Sequence, residues 1–330
     1  MKHLKLTLIL VIGLLLSAAS AQPHRLSLAL DWVPNTNHTG LYVALAKGWY
    51  AEEGLELTIF PFAGVAPAVL VAAGQADVGI GGTQRVLGAA AVGEPVVAIA
   101  AIISTNTAAL AVLESSEIMS PKDLDGRLYA AFGGPIERPI IEAVIRHAGG
   151  EGNFDSVILG VGGFDALLAG RVDFVWLYEG WQGVQARREG VPLRFFNFTD
   201  FGIADHYNPV FLASPQGIEE NAEALRAFLR ATARGYEFAA DHPEEAARLM
   251  IETAPPGSFV DPGLVYDSQA FVSQFYRKPG LRWGVMHHEN WQGFTQFLLE
   301  AGVLTDADGR VVSSLDIGAL YTNELLPLGE

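Results

Sequence analysis

The chain has 330 residues, of which 50% are hydrophobic and 18% charged, and this balance is typical of a folded protein rather than a disordered one. It contains no cysteine, which excludes disulfides, a cysteine nucleophile and cysteine-ligated zinc or iron–sulfur sites. The 21 basic and 37 acidic residues give a net charge of −16, so nucleic acid and anionic membrane surfaces are poor partners.

Residues 1–21 are typical of a secretory signal peptide. Lys2 and Lys5 precede an apolar run, and small residues from Ala19 to Ala21 follow it. The run is too short to span the hydrocarbon core of a membrane. We therefore predict export, with cleavage after Ala21.

The order of strands and helices predicts a parallel α/β architecture. Leu26–Leu30 forms the first predicted strand, and a polar loop then leads into a helix that begins at Gly40. A second strand is predicted over Leu55–Phe60, and strands and helices alternate beyond it. After a strand over Tyr207–Ala213 the chain becomes helical, with a helix over Ile218–Ala240 that stops before Pro243.

A short internal repeat links the two halves of the chain. Residues 71–79 contain Gly74 and Asp77, and residues 167–175 echo them with Gly170 and Asp173. In each copy we predict a helix that ends at a left-handed glycine and a buried strand that follows directly. The strand tails over 81–84 and 176–181 are expected to face one cleft, because ligands of open α/β sheets bind at the carboxyl ends of strands. The alternative is that the similarity between the two segments arose by chance.

Two lobes are predicted from the positions where the chain changes pattern. Crossovers are expected near Ile103–Leu110 and near Tyr207–Leu212, and two crossover strands form a hinge. This interpretation assigns 22–107 to the first part of lobe I and 108–207 to lobe II. It assigns 208–330 to the return into lobe I and to the C-terminal helices.

The loop after the first strand is the first candidate for ligand binding. Trp32 offers a flat face for stacking, and Asn35, Asn37 and His38 offer hydrogen-bond donors and acceptors, which suits a planar heterocycle. Asn37 or Thr39 could instead serve only to cap the following helix. Function concentrates on loops that rigid elements hold, which favours the ligand role.

A second aromatic cluster follows the repeated strand of the second half. Trp176 and Tyr178 would share one face of a strand, and Glu179 would follow at its open end, with Trp181 beyond. A carboxylate there can accept a hydrogen bond from an exocyclic amine. Core packing of Trp176 and a solvated Glu179 are the alternatives.

Other motifs argue against cofactor or metal chemistry. The glycines at 133–134 precede a helix, but Pro135 lacks a backbone donor and Glu137 adds a negative charge, which disfavours a phosphate site there. His287 and His288 are adjacent and project in different directions, so a metal site is disfavoured. No cofactor is predicted.

The chain closely resembles the NMT1/THI5-like family. The resemblance is carried by the segment over 31–44, by Ala73–Asp77, by the joint over 120–126 and by the cluster over 176–181. That family includes periplasmic binding proteins for a formylated aminopyrimidine, relatives that bind other small molecules, and a pyrimidine synthase of thiamin biosynthesis. The resemblance implies a type II periplasmic-binding-protein fold, with two α/β lobes joined by a two-strand hinge. It also implies presentation of one ligand to an ABC permease with its ATPase.

Departures from the synthase decide between these members. The resemblance places the lysine that holds pyridoxal phosphate at Gly81 and the substrate histidine at Arg85, and the chain has no cysteine for the iron segment. Glu137 stands in the glycine-rich phosphate loop. Synthase activity is therefore disfavoured.

The resulting hypothesis is a periplasmic, monomeric binding protein for N-formyl-4-amino-5-aminomethyl-2-methylpyrimidine. Riboflavin or another planar solute is the alternative ligand, and a pyrimidine-modifying enzyme is a disfavoured third possibility. Two residue sets from opposite lobes, with Tyr207 and Asn208 at the return hinge, form the candidate ligand-binding site: Trp32, Asn35, Asn37, His38, Tyr42, Glu137, Trp176, Tyr178, Glu179, Trp181, Tyr207 and Asn208.

Overall fold

The structure, a computed structural model, describes residues 22–327 and contains two five-stranded sheets. The predicted signal peptide lies outside the described residues. The strands are β1 His24–Ala29, β2 Leu55–Phe60, β3 Val78–Gly81, β4 Val97–Ala101, β5 Ala108–Leu113, β6 Leu128–Ala131, β7 Asp155–Ile158, β8 Phe174–Tyr178, β9 Leu193–Asn197 and β10 Val210–Ala213.

Helices cover the faces of both sheets and form most of the chain after β10. They are α1 Thr39–Ala46, α2 Trp49–Glu52, α3 Pro67–Ala72, α4 Thr83–Ala91, α5 Glu137–His147, α6 Gly163–Leu168, α7 Val184–Arg188, α8 Pro215–Glu220, α9 Ala222–Asp241, α10 Pro243–Thr253, α11 Pro262–Val272 and α12 His288–Glu300. Within the described part of the chain, no helix combines the length and the apolar character that crossing a membrane requires.

Each sheet combines parallel strands with one antiparallel strand that follows a crossover. The first sheet has the order β2-β1-β3-β10-β4, and the second has the order β7-β6-β8-β5-β9. β10 runs antiparallel to β3 and β4, and β5 runs antiparallel to β8 and β9. The two-lobed α/β fold predicted from the sequence is confirmed.

The internal repeat performs the same structural task in both sheets. Gly74 (φ 67°) and Gly170 (φ 64°) adopt the left-handed conformation after α3 and α6, as predicted. Asp77 Oδ2 accepts the backbone N–H of Ser27 at 2.7 Å, and Asp173 Oδ2 accepts that of Leu128 at 2.8 Å. Each aspartate therefore ties the start of its own strand to the neighbouring parallel strand.

Two crossings connect the sheets, one between β4 and β5 and one between β9 and β10. They are bound to each other, because Asn106 and Asn208 form a bridge in which Asn208 Nδ2 donates to Asn106 Oδ1 at 3.2 Å. Asp205 Oδ1 in the second crossing accepts the Thr105 hydroxyl at 2.6 Å and the Asn106 N–H at 3.0 Å. The two crossings therefore form one hydrogen-bonded hinge.

Candidate functional site

The loop after β1 is held in shape by its own side chains. Asn35 Oδ1 accepts the Asn37 N–H at 2.9 Å, and His38 Nδ1 accepts the Asn35 N–H at 3.3 Å. Asn35 is thus the cap of the 3-10 turn over Thr36–His38. The alternative in which Asn37 or Thr39 caps the following helix is wrong, because the N-cap of α1 is His38, which makes no side-chain capping bond.

Asp31 is a carboxylate that the sequence interpretation did not include in the site. His38 is fully buried and its Nε2 lies 3.0 Å from Asp31 Oδ1. Since Nδ1 of the same ring accepts a hydrogen bond, Nε2 carries the proton and donates to Asp31. The loop therefore fixes the position of a carboxylate at the carboxyl end of β1.

Asp31 acts electrostatically on a residue of the other lobe. The pKa of the Tyr178 hydroxyl is raised, mainly by burial and further by the negative charge of Asp31. Tyr178 is the last residue of β8, two residues after Trp176, and its hydroxyl donates to Asn208 Oδ1 at 3.1 Å. Asp31, Tyr178 and the hinge residue Asn208 therefore belong to one polar group at the meeting of the lobes.

Aromatic side chains from both lobes meet beside this polar group. The Trp32 ring stacks on Phe62 with centroids 6.2 Å apart and contacts Phe132 of lobe II at 5.0 Å. Trp32, Phe132, Trp176 and Gln182 line one small cavity, together with apolar and glycine residues of lobe II. Trp32 and Trp176, both predicted site residues, are therefore brought to the same place.

Phe132 lines this cavity and Phe62 stacks on Trp32, and the sequence interpretation included neither residue. Phe132 directly follows β6, and Trp32 lies three residues after the end of β1, so the same rule about strand ends could have found Phe132. Phe132 is 42% exposed despite its contact with Trp32, which leaves an aromatic face open.

Glu137 is fully engaged by the loop that precedes it. Its Oε1 accepts the Tyr129 hydroxyl at 2.5 Å and the Phe132 N–H at 3.0 Å, and its Oε2 accepts the Gly133 N–H at 3.0 Å. The carboxylate holds the segment that carries the Phe132 ring. Glu137 is thus connected to the cleft through the backbone.

Glu179 and Trp181 lie in a π-helical turn, Glu179–Gly183, that continues β8. Glu179 is partly buried, and burial raises the pKa of its carboxyl; Arg187 opposes this and Asp200 adds to it. Trp181 turns toward Phe259, with centroids 6.1 Å apart, and packs against an apolar cluster that includes Tyr42. Trp181 therefore stands apart from the cavity that Trp32 and Trp176 share.

Three other predicted site residues have contacts that hold the fold together. Tyr42 is 3% exposed within that apolar cluster, and burial raises its pKa to about 12. The Tyr207 hydroxyl donates to Asn290 Oδ1 at 3.2 Å and accepts the His287 N–H at 2.8 Å, which ties the return hinge to the start of α12. The Asn37 carbonyl accepts the Tyr236 hydroxyl at 2.7 Å.

The lobes also touch at an outer edge of the cleft. Arg188, at the end of α7 in lobe II, donates from Nε to Asp261 Oδ2 at 2.8 Å and also bonds Asp267. The Ser268 hydroxyl donates to the Gly180 carbonyl. α11 itself is anchored in lobe I, because Gln269 Nε2 donates to the Ala239 carbonyl at 3.1 Å. These bonds join α11 of lobe I to α7 and to the turn after β8, both in lobe II.

The lysine position of the synthase resemblance is occupied here by a closely packed glycine, Gly81. A Cβ at Gly81 would lie 3.1 Å from Leu212 Cδ1 and 3.7 Å from Arg85 Cβ, so β3 is closely packed at this point. Within residues 22–327, no three His, Asp or Glu side chains are grouped so that they could hold a metal ion.

The two lobes, the hinge and the cleft define a protein with the fold of periplasmic binding proteins. The periplasmic aliphatic sulphonate binding protein SsuA from Escherichia coli has this fold, with a TM-score of 0.65 and 19% identity, and the match covers 93% of this chain and 95% of that one.

The family can also be stated. The family model described as NMT1/THI5 like matches residues 35–246, and the chain belongs to this family. A formylaminopyrimidine-binding protein of Halalkalibacterium halodurans is 29% identical over 82% of this chain and 83% of its own length. A riboflavin-binding protein, RibY, of Chloroflexus aurantiacus is 27% identical over 94% of this chain and 89% of its own length. A 4-amino-5-hydroxymethyl-2-methylpyrimidine phosphate synthase of Legionella pneumophila is 28% identical over 72% and 76%.

Proposed function

We propose that this chain is the periplasmic solute-binding component of an ABC importer and that its solute is a formylated aminopyrimidine precursor of thiamin. The single observation that carries the proposal is the meeting of Trp32, from lobe I, with Phe132 and Trp176, from lobe II. Flat faces from both lobes suit a planar ring, since stacking on aromatic side chains is strongest for such a shape.

The polar groups beside the aromatic faces support an amine-bearing ring. Asp31 at the end of β1 and Glu179 at the end of β8 are carboxylates, and a carboxylate accepts a strong hydrogen bond from an exocyclic amine. The relative named as a formylaminopyrimidine-binding protein supports the same ligand class. Closure of the hinge would remove water from these contacts and strengthen them.

Riboflavin is the alternative solute. The RibY relative aligns over a larger share of this chain than the formylaminopyrimidine-binding relative does, 94% against 82%. The isoalloxazine ring is planar and would also stack on Trp32 and Trp176. An enzymatic role finds less support, because the lysine position of the synthase resemblance falls at the closely packed Gly81.

Titration calorimetry of the mature protein with the formylaminopyrimidine and with riboflavin tests the proposal. Trp32→Ala should weaken binding of the true solute by about tenfold or more, since one stacking face is lost. Trp49→Ala is the matched control: Trp49 also lies in lobe I but packs on Phe238, with centroids 6.1 Å apart. The control should bind as the wild type does.

The outcomes separate the hypotheses. Tight binding of the formylaminopyrimidine that Trp32→Ala weakens supports the proposal. Binding of riboflavin alone transfers the role to the alternative solute. Unchanged affinity in Trp32→Ala would refute the placement of the ligand between the aromatic faces. Mass spectrometry of the natively purified protein identifies any solute that it carries.

A further inference from the structure

The loop that follows β6 has the geometry of an anion cradle. The backbone N–H groups of Phe132 and Gly133 both point to one spot, and Gly133 has a positive φ of 93°. Consecutive N–H groups arranged in this way form a concavity that binds phosphate or carboxylate. The loop faces lobe I, because the Phe132 ring contacts Trp32 at 5.0 Å.

A cation of lobe I approaches the same loop. A Cβ built on Gly134 would lie 3.2 Å from Arg85 Nη2, so the guanidinium lies against the loop. Arg85 is exposed, and its guanidinium forms no hydrogen bond or ion pair with the other described residues. Two N–H donors thus converge on one position next to the aromatic cleft, and a guanidinium lies against the following residue of the loop, which is a set of groups suited to a phosphate ester.

The chain fills this cradle with its own carboxylate. Glu137 accepts both N–H groups at 3.0 Å and the Tyr129 hydroxyl at 2.5 Å, so the donors of the loop are already satisfied. Burial, and next the charge of Glu137, raises the pKa of the Tyr129 hydroxyl well above its usual value, which keeps that hydroxyl protonated as a donor. An incoming phosphate would meet no free N–H group and a fixed negative charge.

We propose that Glu137 makes the cleft select unphosphorylated pyrimidines and reject their phosphate esters. The inference rests on the proposed function, since it concerns the same cleft. It deepens that function, because relatives of this chain are named both for a formylaminopyrimidine and for a pyrimidine phosphate. Glu137 acts as an internal anion that competes for the loop, and the Arg85 guanidinium lies against the same loop.

The test measures a selectivity ratio, the Kd of 4-amino-5-hydroxymethyl-2-methylpyrimidine phosphate divided by the Kd of the formylaminopyrimidine. Glu137→Gln keeps the size of the side chain and removes its charge, so the ratio should fall by about tenfold or more. Glu142→Gln is the matched control, because Glu142 lies on the same helix α5 and pairs with Arg138 and Arg146 away from the loop. Its ratio should equal that of the wild type.

A second change tests the role assigned to Arg85. Arg85→Gln in the Glu137→Gln background should reverse most of the gain in affinity for the phosphate ester. Thermal melts of each variant establish that it is folded, and Glu137→Asp provides a shorter anion if Glu137→Gln does not fold. Glu137→Asp should keep the charge and hence the rejection.

The failures are distinguishable. A wild type that binds both compounds equally well, or a Glu137→Gln variant with an unchanged ratio, overturns the inference and leaves the proposed function intact. A wild type that binds neither compound overturns the proposed function and this inference with it.

Discussion

Glu179 offers the sharpest test of how the ligand would be recognised. Burial raises the pKa of its carboxyl, so the folded protein holds a carboxylate that is incompletely solvated. None of the described residues donates a hydrogen bond to its side-chain oxygens, so both oxygens are available as acceptors. We expect this carboxylate to accept the exocyclic amine of the pyrimidine.

Glu179→Gln keeps the shape and replaces an anionic acceptor with an amide. One hydrogen bond to a charged group contributes about 1.5–3 kcal/mol, so affinity should fall by roughly ten- to a hundredfold. Because the wild-type carboxyl has a raised pKa, its affinity should also decline as pH falls through that pKa, at a higher pH than for an ordinary glutamate. The variant should lack this decline.

Glu179→Gln should weaken ligand binding but stabilise the ligand-free protein. A carboxyl whose folded-state pKa is raised favours the protonated form, and its ionisation above that pKa costs stability. Glu179→Gln should therefore raise the melting temperature at neutral pH, and this gain should vanish below the unfolded pKa of about 4.3.

Calorimetric titration from pH 4.5 to 8 measures the effect on affinity, and thermal melts from about pH 3.5 to 8 measure the effect on stability. Glu189→Gln is the matched control, since Glu189 in the same lobe is exposed and accepts a bond from Gln185 at 2.8 Å. Equal affinities of Glu179→Gln and the wild type would remove Glu179 from the site, and Asp31→Asn would then be the next variant to titrate.

Three further predictions concern the lobes and the core. Arg188→Gln should speed ligand release by about two- to fivefold, because it removes bonds between the lobes. Stopped-flow measurement of the release rate tests this, and Arg171→Gln, the control, should release ligand as fast as the wild type. If the difference in release rate between Arg188→Gln and the wild type does not change with salt concentration, the ion-pair explanation is contradicted. Tyr236→Phe should lower the free energy of unfolding by ~1–2 kcal/mol, because the buried Asn37 carbonyl loses its hydrogen-bond donor. Urea titration measures this change, and Tyr266→Phe is the control because Tyr266 is exposed. Burial lowers the pKa of His206 to about 4, so His206 should not reduce the free energy of unfolding above pH ~6.5. As pH drops from there toward 4, the free energy of unfolding should fall by up to ~3 kcal/mol, because the unfolded chain binds a proton that the folded chain does not. An equally steep loss in His206→Gln would show that another group causes it.

Strand ends were the most useful guide to the fold. The glycines at 74 and 170 and the aspartates three residues later predicted a shared design, and both copies adopt the left-handed turn. The aspartates have a second role that the sequence did not reveal. They bond the neighbouring strands at Ser27 and Leu128, which lie 50 and 45 residues away along the chain.

The aromatic residues show where prediction from a strand pattern stops. Trp176 lies in β8, so its direction follows from the alternation of a strand. Trp181 lies in a π-helical turn, whose wider backbone sends the ring to Phe259 instead, and this rare turn has no recognisable sequence pattern. Tyr42 belongs to α1, which is buried on most sides and therefore shows no polar face that would distinguish site from core.

The bond between Asn106 and Asn208 has a consequence for how the cleft can open. A single connecting segment would let one lobe swivel freely, whereas two segments attached to each other restrict rotation to one axis that passes through both. Opening is then a single bending coordinate, and the Trp32 and Phe132 rings separate and return along the same arc. The lobes need no orientational search when they close, so little configurational entropy is lost at that step.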